Sequence, residues 1–189
     1  MQRRDLFPTP IFLARTTGRE ALNAELRDRL LAESQSTPGL QKSNAGGWHS
    51  DHDLLTRPEP CFQELAALLV GGFRELVSQN EAEGSIGAVA WAMVMKQGDH
   101  SVPHHHAEAH WAGVYVVDPG DVGPGRAGHL SLLDPRAGAW EPLGLTTSHQ
   151  DIRPVAGLLV YFPGWLMHHV HPNAGARPRV TVSVNLKLD

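Results

Sequence analysis

Cysteine, clustered positive charge and long apolar runs are all scarce in this 189-residue chain, and each shortage excludes a class of function. A single cysteine, Cys61, rules out an internal disulfide and any cysteine-based zinc finger. The 16 Lys and Arg are outnumbered by 20 Asp and Glu, for a formal charge of −4, and no basic run stands out. Neutralising a phosphate backbone needs a clustered basic surface, so no nucleic-acid partner is expected. Residues Met1 to Asp5 lack the apolar stretch of a secretory signal. No window reaches about 18 apolar residues in succession, the length a membrane span needs. The chain therefore reads as cytoplasmic, with no membrane partner.

What is present is uneven. Apolar residues make up 41% of the chain, enough for one core. Histidine occurs 12 times, and there are 19 glycines and 14 prolines, more than a compact helical bundle tolerates. Both excesses concentrate after Gly84.

The period of the apolar pattern divides the chain there. Before Gly84, the segment Leu6 to Ala14 carries two prolines and suits an edge strand. Leu22, Leu26 and Leu30 form one apolar stripe, predicting a helix from about Arg19 to Glu33. Ser34 to Asp53 is polar and glycine-rich and reads as an ordered loop. Phe62, Leu65, Leu69, Phe73 and Leu76 share a face, predicting a second helix from Glu59 to about Asn80.

After Gly84 the period becomes 2. Strands are predicted over Ile86–Met95, Trp111–Val117, His129–Leu133, Gly157–Phe162 and Arg179–Leu188, with Trp165–Val170 continuing the fourth beyond Pro163-Gly164. About seven or eight strands at this spacing predict a mainly β sandwich or barrel, with the two helices packed on one outer face. A single domain is expected over 1–189, with edge strand, loop and helices in 1–83 and the β core in 84–189.

Two histidine clusters punctuate the strand-rich part: His104-His105-His106 with Glu108 and His110, and His168-His169 with His171, which begins 62 residues after His106. Side chains alternate faces along a strand, so His104 and His106 point one way and His105 the other. Two imidazoles on one face can share a metal, and a late strand closing beside an early one would add His168. Taken alone, any of these histidines could equally be a surface or satisfied core residue. Glu108 and His110 lie about 7 and 14 Å beyond His106 along an extended chain, and could join only if the chain bends. His105 and His169 should face away; His49, His52 and His100 read as loop residues without an assigned role.

The order of segments resembles a family of small bacterial 2-oxoglutarate/Fe(II)-dependent oxygenases. The resemblance rests on Trp91, Gly98, His104-His105-His106 and Ala112-Gly113-Val114-Tyr115, then on Phe162-Pro163-Gly164-Trp165-Leu166-Met167-His168 and the terminal run Arg179 to Asn185. Leu6 to Pro10 and Gly47-Trp48-His49-Ser50 extend it across nearly the whole chain. It implies a double-stranded β-helix, or cupin-like jelly roll, holding one Fe(II). It also implies an oxygenase, of hydroxylase type, that consumes 2-oxoglutarate as co-substrate; a small-molecule substrate is expected, and nothing in the sequence names it.

By the same resemblance His104 and His168 take the two histidine positions of the iron site, and His106 the third. Arg179 matches the basic residue that grips the far carboxylate of 2-oxoglutarate, a task suited to a planar guanidinium, with Thr181 as its hydroxyl partner. Trp91, His110, Tyr115, Trp165 and Asn185 are candidates to line the pocket, and the loops Ser34–Asp53 and Gly120–Gly128 to cover its mouth.

His106 departs from the usual two-histidine, one-carboxylate triad. Three-histidine sites occur in cupin dioxygenases that need no 2-oxoglutarate. Gly98, His104, His106 and His110 approximate the first cupin motif, and Gly157, Pro163, His168 and Asn173 the second. A cupin-type enzyme and a non-catalytic metal-binding module are therefore the rival readings. A homodimer is expected on base rates.

Overall fold

The computed structural model describes residues 2, 4, 7–79, 84–136 and 148–188. Leu6 of the expected edge strand and Asn80 at the expected end of the second helix lie outside them. The order of elements is β1 (Phe12–Arg15), α1 (Glu20–Ser36), β2 (Asn44–Ala45), β3 (Trp48–His49), a 3-10 turn (Leu54–Thr56), α2 (Pro60–Gln79), β4 (Ile86–Met95), β5 (His100–His104), β6 (Trp111–Asp118), β7 (Leu130–Leu133), β8 (His149–Ile152), β9 (Leu158–Pro163), β10 (His168–Val170) and β11 (Arg179–Leu188).

The strands form two antiparallel sheets. One has six strands in the order β1-β9-β6-β11-β4-β3, the other five in the order β2-β5-β10-β7-β8. This is the double-stranded β-helix the sequence resemblance implied. Among the described residues, no helix is long and apolar enough to cross a membrane.

The six-stranded sheet is buried on both faces, which is why β4, β6 and β9 read as nearly continuous apolar runs. On one face Ala90, Ala92 and Val94 of β4 and Val180, Val182, Val184 and Leu186 of β11 meet Leu22, Leu26 and Leu30 of α1 and Phe62, Leu65, Leu69 and Phe73 of α2. Both helices thus cover one outer face, as their single stripes required. Arg57 clamps the base of α2 to α1 through a bidentate pair with Glu33 at 2.6 and 2.8 Å.

The opposite face, between the sheets, carries the alternate residues. Register sets them in rows: Met95–Arg179, Met93–Thr181–Val116, Trp91–Ser183–Val114–Val160, Val89–Asn185–Ala112–Phe162, and Gly87–Lys187. Two residues at about 3.4 Å each separate successive rows by about 7 Å.

Several elements differ from expectation. The segment after Pro163 does not continue β9; it turns and crosses to the other sheet as β10, beside β5 and β7. The 34–53 loop contains β2 and β3, which extend β5 and β4 respectively. His100 opens β5 and His49 ends β3, so neither is a loop residue. The edge strand starts only at Phe12, after Pro8 and Pro10, which have no N–H to give a ladder. β8 was not foreseen: His149-Gln150-Asp151-Ile152 buries only Ile152 and sits at a sheet edge.

Candidate metal centre

His104 ends β5 and His168 begins β10, and the ladder between these strands places them directly opposite each other. Directly paired residues have Cβ atoms about 5 Å apart, and here the ring centroids lie 4.3 Å apart. His106 stands beyond the end of β5, so strand alternation does not aim it. Its backbone N–H donates to the Gly164 carbonyl at 2.7 Å, and Gly164 N–H donates to the His110 carbonyl at 3.0 Å. A Cβ at position 164 would collide with the carbonyl oxygens of Ala109 and His106, so only glycine permits this approach. The turn so held brings the His106 ring to 5.1 Å from each of the other two. One ring nitrogen from each histidine lies within 4.8 Å of the others, the one such group of three ligating side chains among the described residues.

Hydrogen bonds orient two of the rings. His104 Nδ1 lies 2.8 Å from the Val102 carbonyl and His168 Nδ1 2.8 Å from the Leu166 carbonyl. A carbonyl only accepts, so each Nδ1 carries the proton and each Nε2 presents a lone pair as acceptor. The Ser43 hydroxyl, 3.2 Å from His104 Nε2, donates to that lone pair.

Burial disfavours protonation of all three rings, and repulsion from neighbouring histidines adds to it. His168 is pushed down to about 3, His106 to about 4, and His104 lies below the ordinary imidazole value. At neutral pH the centre is three neutral imidazoles, the state in which histidine binds a metal. Phe162 packs on His168 at 4.7 Å and Trp91 on His106 at 5.6 Å, giving the site apolar walls.

Arg179 lines the same cavity, which no Asp or Glu enters among the described residues. It is 1% exposed; Nη1 donates to Thr181 Oγ1 at 3.2 Å, and Nε is buried without a partner. Burial alone pushes its pKa down to about 10, so it remains a cation at neutral pH. An enclosed, under-bonded guanidinium with no acid beside it is costly unless an anion pairs with it. Neutral imidazoles for a divalent ion and an orphaned cation for a carboxylate fit Fe(II) with 2-oxoglutarate.

The remaining candidates separate. Trp91 lines the cavity. Tyr115 does not: it lies on the helix-covered face of the sheet, and its hydroxyl donates to Asn23 Oδ1 at 2.7 Å. Trp165 is 51% exposed, on the turn where the chain changes sheets. His110 is exposed and accepts from Leu188 N–H at 3.1 Å, tying the His106 turn to β11. Asn185 sits on the inner face beside Ala112, one row outward from Trp91 and Ser183. His105 and Glu108 are exposed and His169 half-buried.

Sequence reasoning assigned no role to Ser43, His49 or His52. His49 is buried and stacks on Trp91 at 5.5 Å and 6°, with His52 edge-on to the same indole at 5.1 Å. The Gly47-Trp48-His49-Ser50 segment of the resemblance was a signal for His49 alone. The 120–128 loop lies beside Arg179, and its Gly128 N–H donates to the Pro172 carbonyl at 3.1 Å.

Solved structures share this architecture. A Pseudomonas putida prolyl-4-hydroxylase superposes with a TM-score of 0.70 at 17% identity, covering 96% of this chain and 94% of its own. HygX from Streptomyces hygroscopicus, crystallised with nickel and 2-oxoglutarate, gives 0.66 at 12% identity, covering 95% and 83%. A Trichoplax adhaerens prolyl hydroxylase, in complex with a hypoxia inducible factor oxygen degradation domain peptide fragment, gives 0.66 at 14% identity, covering 94% and 83%. At such identities the likeness is one of fold. Among curated proteins none matches the sequence. Residues 89–185, from within β4 to within β11, match the profile of a family described as 2OG-Fe(II) oxygenase. With its barrel, its three-histidine cluster and that match over half its length, the chain belongs to the 2OG-Fe(II) oxygenase family, enzymes whose cofactors are Fe(II) and 2-oxoglutarate.

Proposed function

We propose that this protein is a hydroxylase of a small-molecule substrate, with His104, His106 and His168 as its metal ligands and Arg179 and Thr181 as its co-substrate anchor. Bound there, Fe(II) with 2-oxoglutarate supplies an oxidant derived from O₂ for an unactivated C–H bond, leaving succinate and CO₂ as by-products.

The chain's own residues prepare that chemistry electrostatically. Three neutral ligands leave the full charge of a divalent ion uncompensated, unlike a triad with one carboxylate. A dicarboxylate dianion entering the metal-loaded cavity would meet two positive centres, the metal and Arg179, and no acidic side chain among the described residues. The Arg179 fork offers donors for the far carboxylate, and the Thr181 hydroxyl holds that fork in place. The Nδ1–H bonds to Val102 and Leu166 fix the tautomer of two rings, so that their Nε2 lone pairs would be the ones to hold a metal, with the Ser43 hydroxyl giving way at His104. Trp91, Phe162, Met93 and Val114 exclude water around the reacting carbon.

The observation that carries this reading is Arg179, a buried cation without a counter-charge among the described residues, in the cavity of a three-imidazole cluster. Anaerobic protein loaded with Fe(II) should develop the visible metal-to-ligand charge-transfer band on addition of 2-oxoglutarate. His168→Ala should abolish the band and Arg179→Ala should raise the concentration needed to form it. A missing band in the wild type, or an Arg179→Ala titration identical to it, refutes the proposal.

A further inference from the structure

The inner face of the six-stranded sheet holds a second recess that the chemistry above leaves unused. Its volume is about 290 Å³, and Gly87, Val89, Asn185 and Lys187 of the sheet line it with Glu108 and Ala109 of the turn after His106. Asn185 pairs across the ladders with Val89 and with Ala112, and Ala112 also lines the metal cavity. Phe162, in the same row, packs on His168. Asn185 lies six residues of β11, or about 20 Å, from Arg179, and the Trp91–Ser183 row, against which His106 packs, falls between them. The co-substrate anchor lies on one side of the metal and the recess on the other.

Its chemistry is specific. Asn185 Oδ1 is buried and has no hydrogen-bond partner, so it calls for an incoming N–H or O–H donor. Glu108 and Lys187 are exposed charges of opposite sign, and neither is in an ion pair among the described residues. Gly87, Ala109 and the 46%-exposed Val89 leave small apolar walls. The volume sits at the lower limit of small-ligand pockets, about 300 Å³.

We infer that this recess is the substrate's docking subsite and that it takes a free amino acid or an equally small zwitterion. The ammonium group pairs with Glu108 and the carboxylate with Lys187; a donor group reaches Asn185 Oδ1, and the side chain points inward to the three histidines. An internal peptide residue lacks both terminal charges and satisfies neither rim residue. The inference rests on the hydroxylase reading, and one titration series separates the two.

Zinc-loaded full-length protein is titrated calorimetrically, first with 2-oxoglutarate and then with each of the protein amino acids. At least one amino acid should bind, and its N-acetyl and methyl-ester derivatives, which each remove one charge, should bind tenfold or more weakly. Glu108→Gln should erase the discrimination against the N-acetyl form alone, and Lys187→Gln that against the ester alone. If 2-oxoglutarate does not bind, the hydroxylase reading falls and this one with it. If 2-oxoglutarate binds but no amino acid does, or if the two variants keep both discriminations, only the subsite assignment is overturned.

Discussion

Replacing Arg179 by methionine should reverse the order of stability between the ligand-free and the 2-oxoglutarate-bound protein. Burial pushes this guanidinium well below its ordinary value, down to about 10. At about 1.4 kcal/mol per pH unit, that difference is on the order of 3 kcal/mol held against the folded protein. Both values lie well above 7, so the penalty is present in full at neutral pH and is relieved only in strong alkali. Methionine is unbranched and close enough in length to occupy the same channel. The lost bond to Thr181 and imperfect packing should return about 1–2 kcal/mol of the gain. The ligand-free variant should therefore be about 1–2 kcal/mol more stable, which for a chain of this size means a melting temperature about 2–8 °C higher.

With co-substrate the order inverts. 2-Oxoglutarate at 100 times its dissociation constant stabilises the wild type by about 2.7 kcal/mol, and the variant has nothing to pair with the far carboxylate. Differential scanning calorimetry of zinc-loaded wild type and variant, each with and without 2-oxoglutarate, reads all four states. A variant that melts below the wild type without ligand, or that gains as much from 2-oxoglutarate, refutes the claim that Arg179 is an under-bonded cation awaiting an anion.

The other substitutions probe separate links. His106→Ala should weaken Fe(II) binding at least tenfold, whereas His106→Asp should retain the metal and lower its reduction potential by supplying a carboxylate; equilibrium dialysis and potentiometry check both, and unchanged values would place His106 off the metal. In metal-free protein His168, only 4% exposed, refuses a proton down to about pH 3 that the unfolded chain accepts below about 6.5. Stability should therefore fall as pH drops below about 6.5, by up to about 1.4 kcal/mol per pH unit for this ring alone. Urea unfolding at pH 7, 6 and 5 measures the slope, and a flat profile contradicts a buried neutral imidazole. Tyr115→Phe should cost about 1 kcal/mol through the loss of the bond to Asn23 and leave 2-oxoglutarate affinity unchanged, while Trp165→Ala should alter stability by no more than about 0.5 kcal/mol. A large effect of Tyr115→Phe on 2-oxoglutarate affinity would return that residue to the pocket.

The change of apolar period at Gly84 made the barrel legible, and the single stripes of Leu22–Leu30 and Phe62–Leu76 located the helices that cover it. Direction within the barrel was less accessible. The run Trp111 to Val117 is apolar at every position because its sheet is covered on both faces. Nothing local says whether Val114 or Tyr115 faces inward; the ladder with β11 decides it. β8 carries one buried residue and could not announce itself by pattern. Ser43 and His49 reach the site from short strands within a loop that has no periodicity to read. The motif order also left two barrel families and a non-catalytic module open, since jelly rolls share their metal positions. The match over residues 89–185 selects the 2-oxoglutarate family.

The histidine cluster itself combines two mechanisms, of which only one leaves a trace in spacing. His104 and His168 meet because an antiparallel register pairs the end of one strand with the start of another, the kind of convergence that two clusters separated by an apolar strand pattern suggest. His106 follows a different logic. β5 has already ended, so its parity with His104 is incidental, and its backbone is pinned instead to Gly164. Pro163-Gly164, which reads in the sequence only as a strand breaker, is therefore both the crossing point between the sheets and the clamp that sets the third imidazole. The same crossing delivers His168 three residues after it leaves Trp165 outside. One short turn thus positions two of the three proposed ligands, which ties the geometry of the histidine cluster to a glycine outside it.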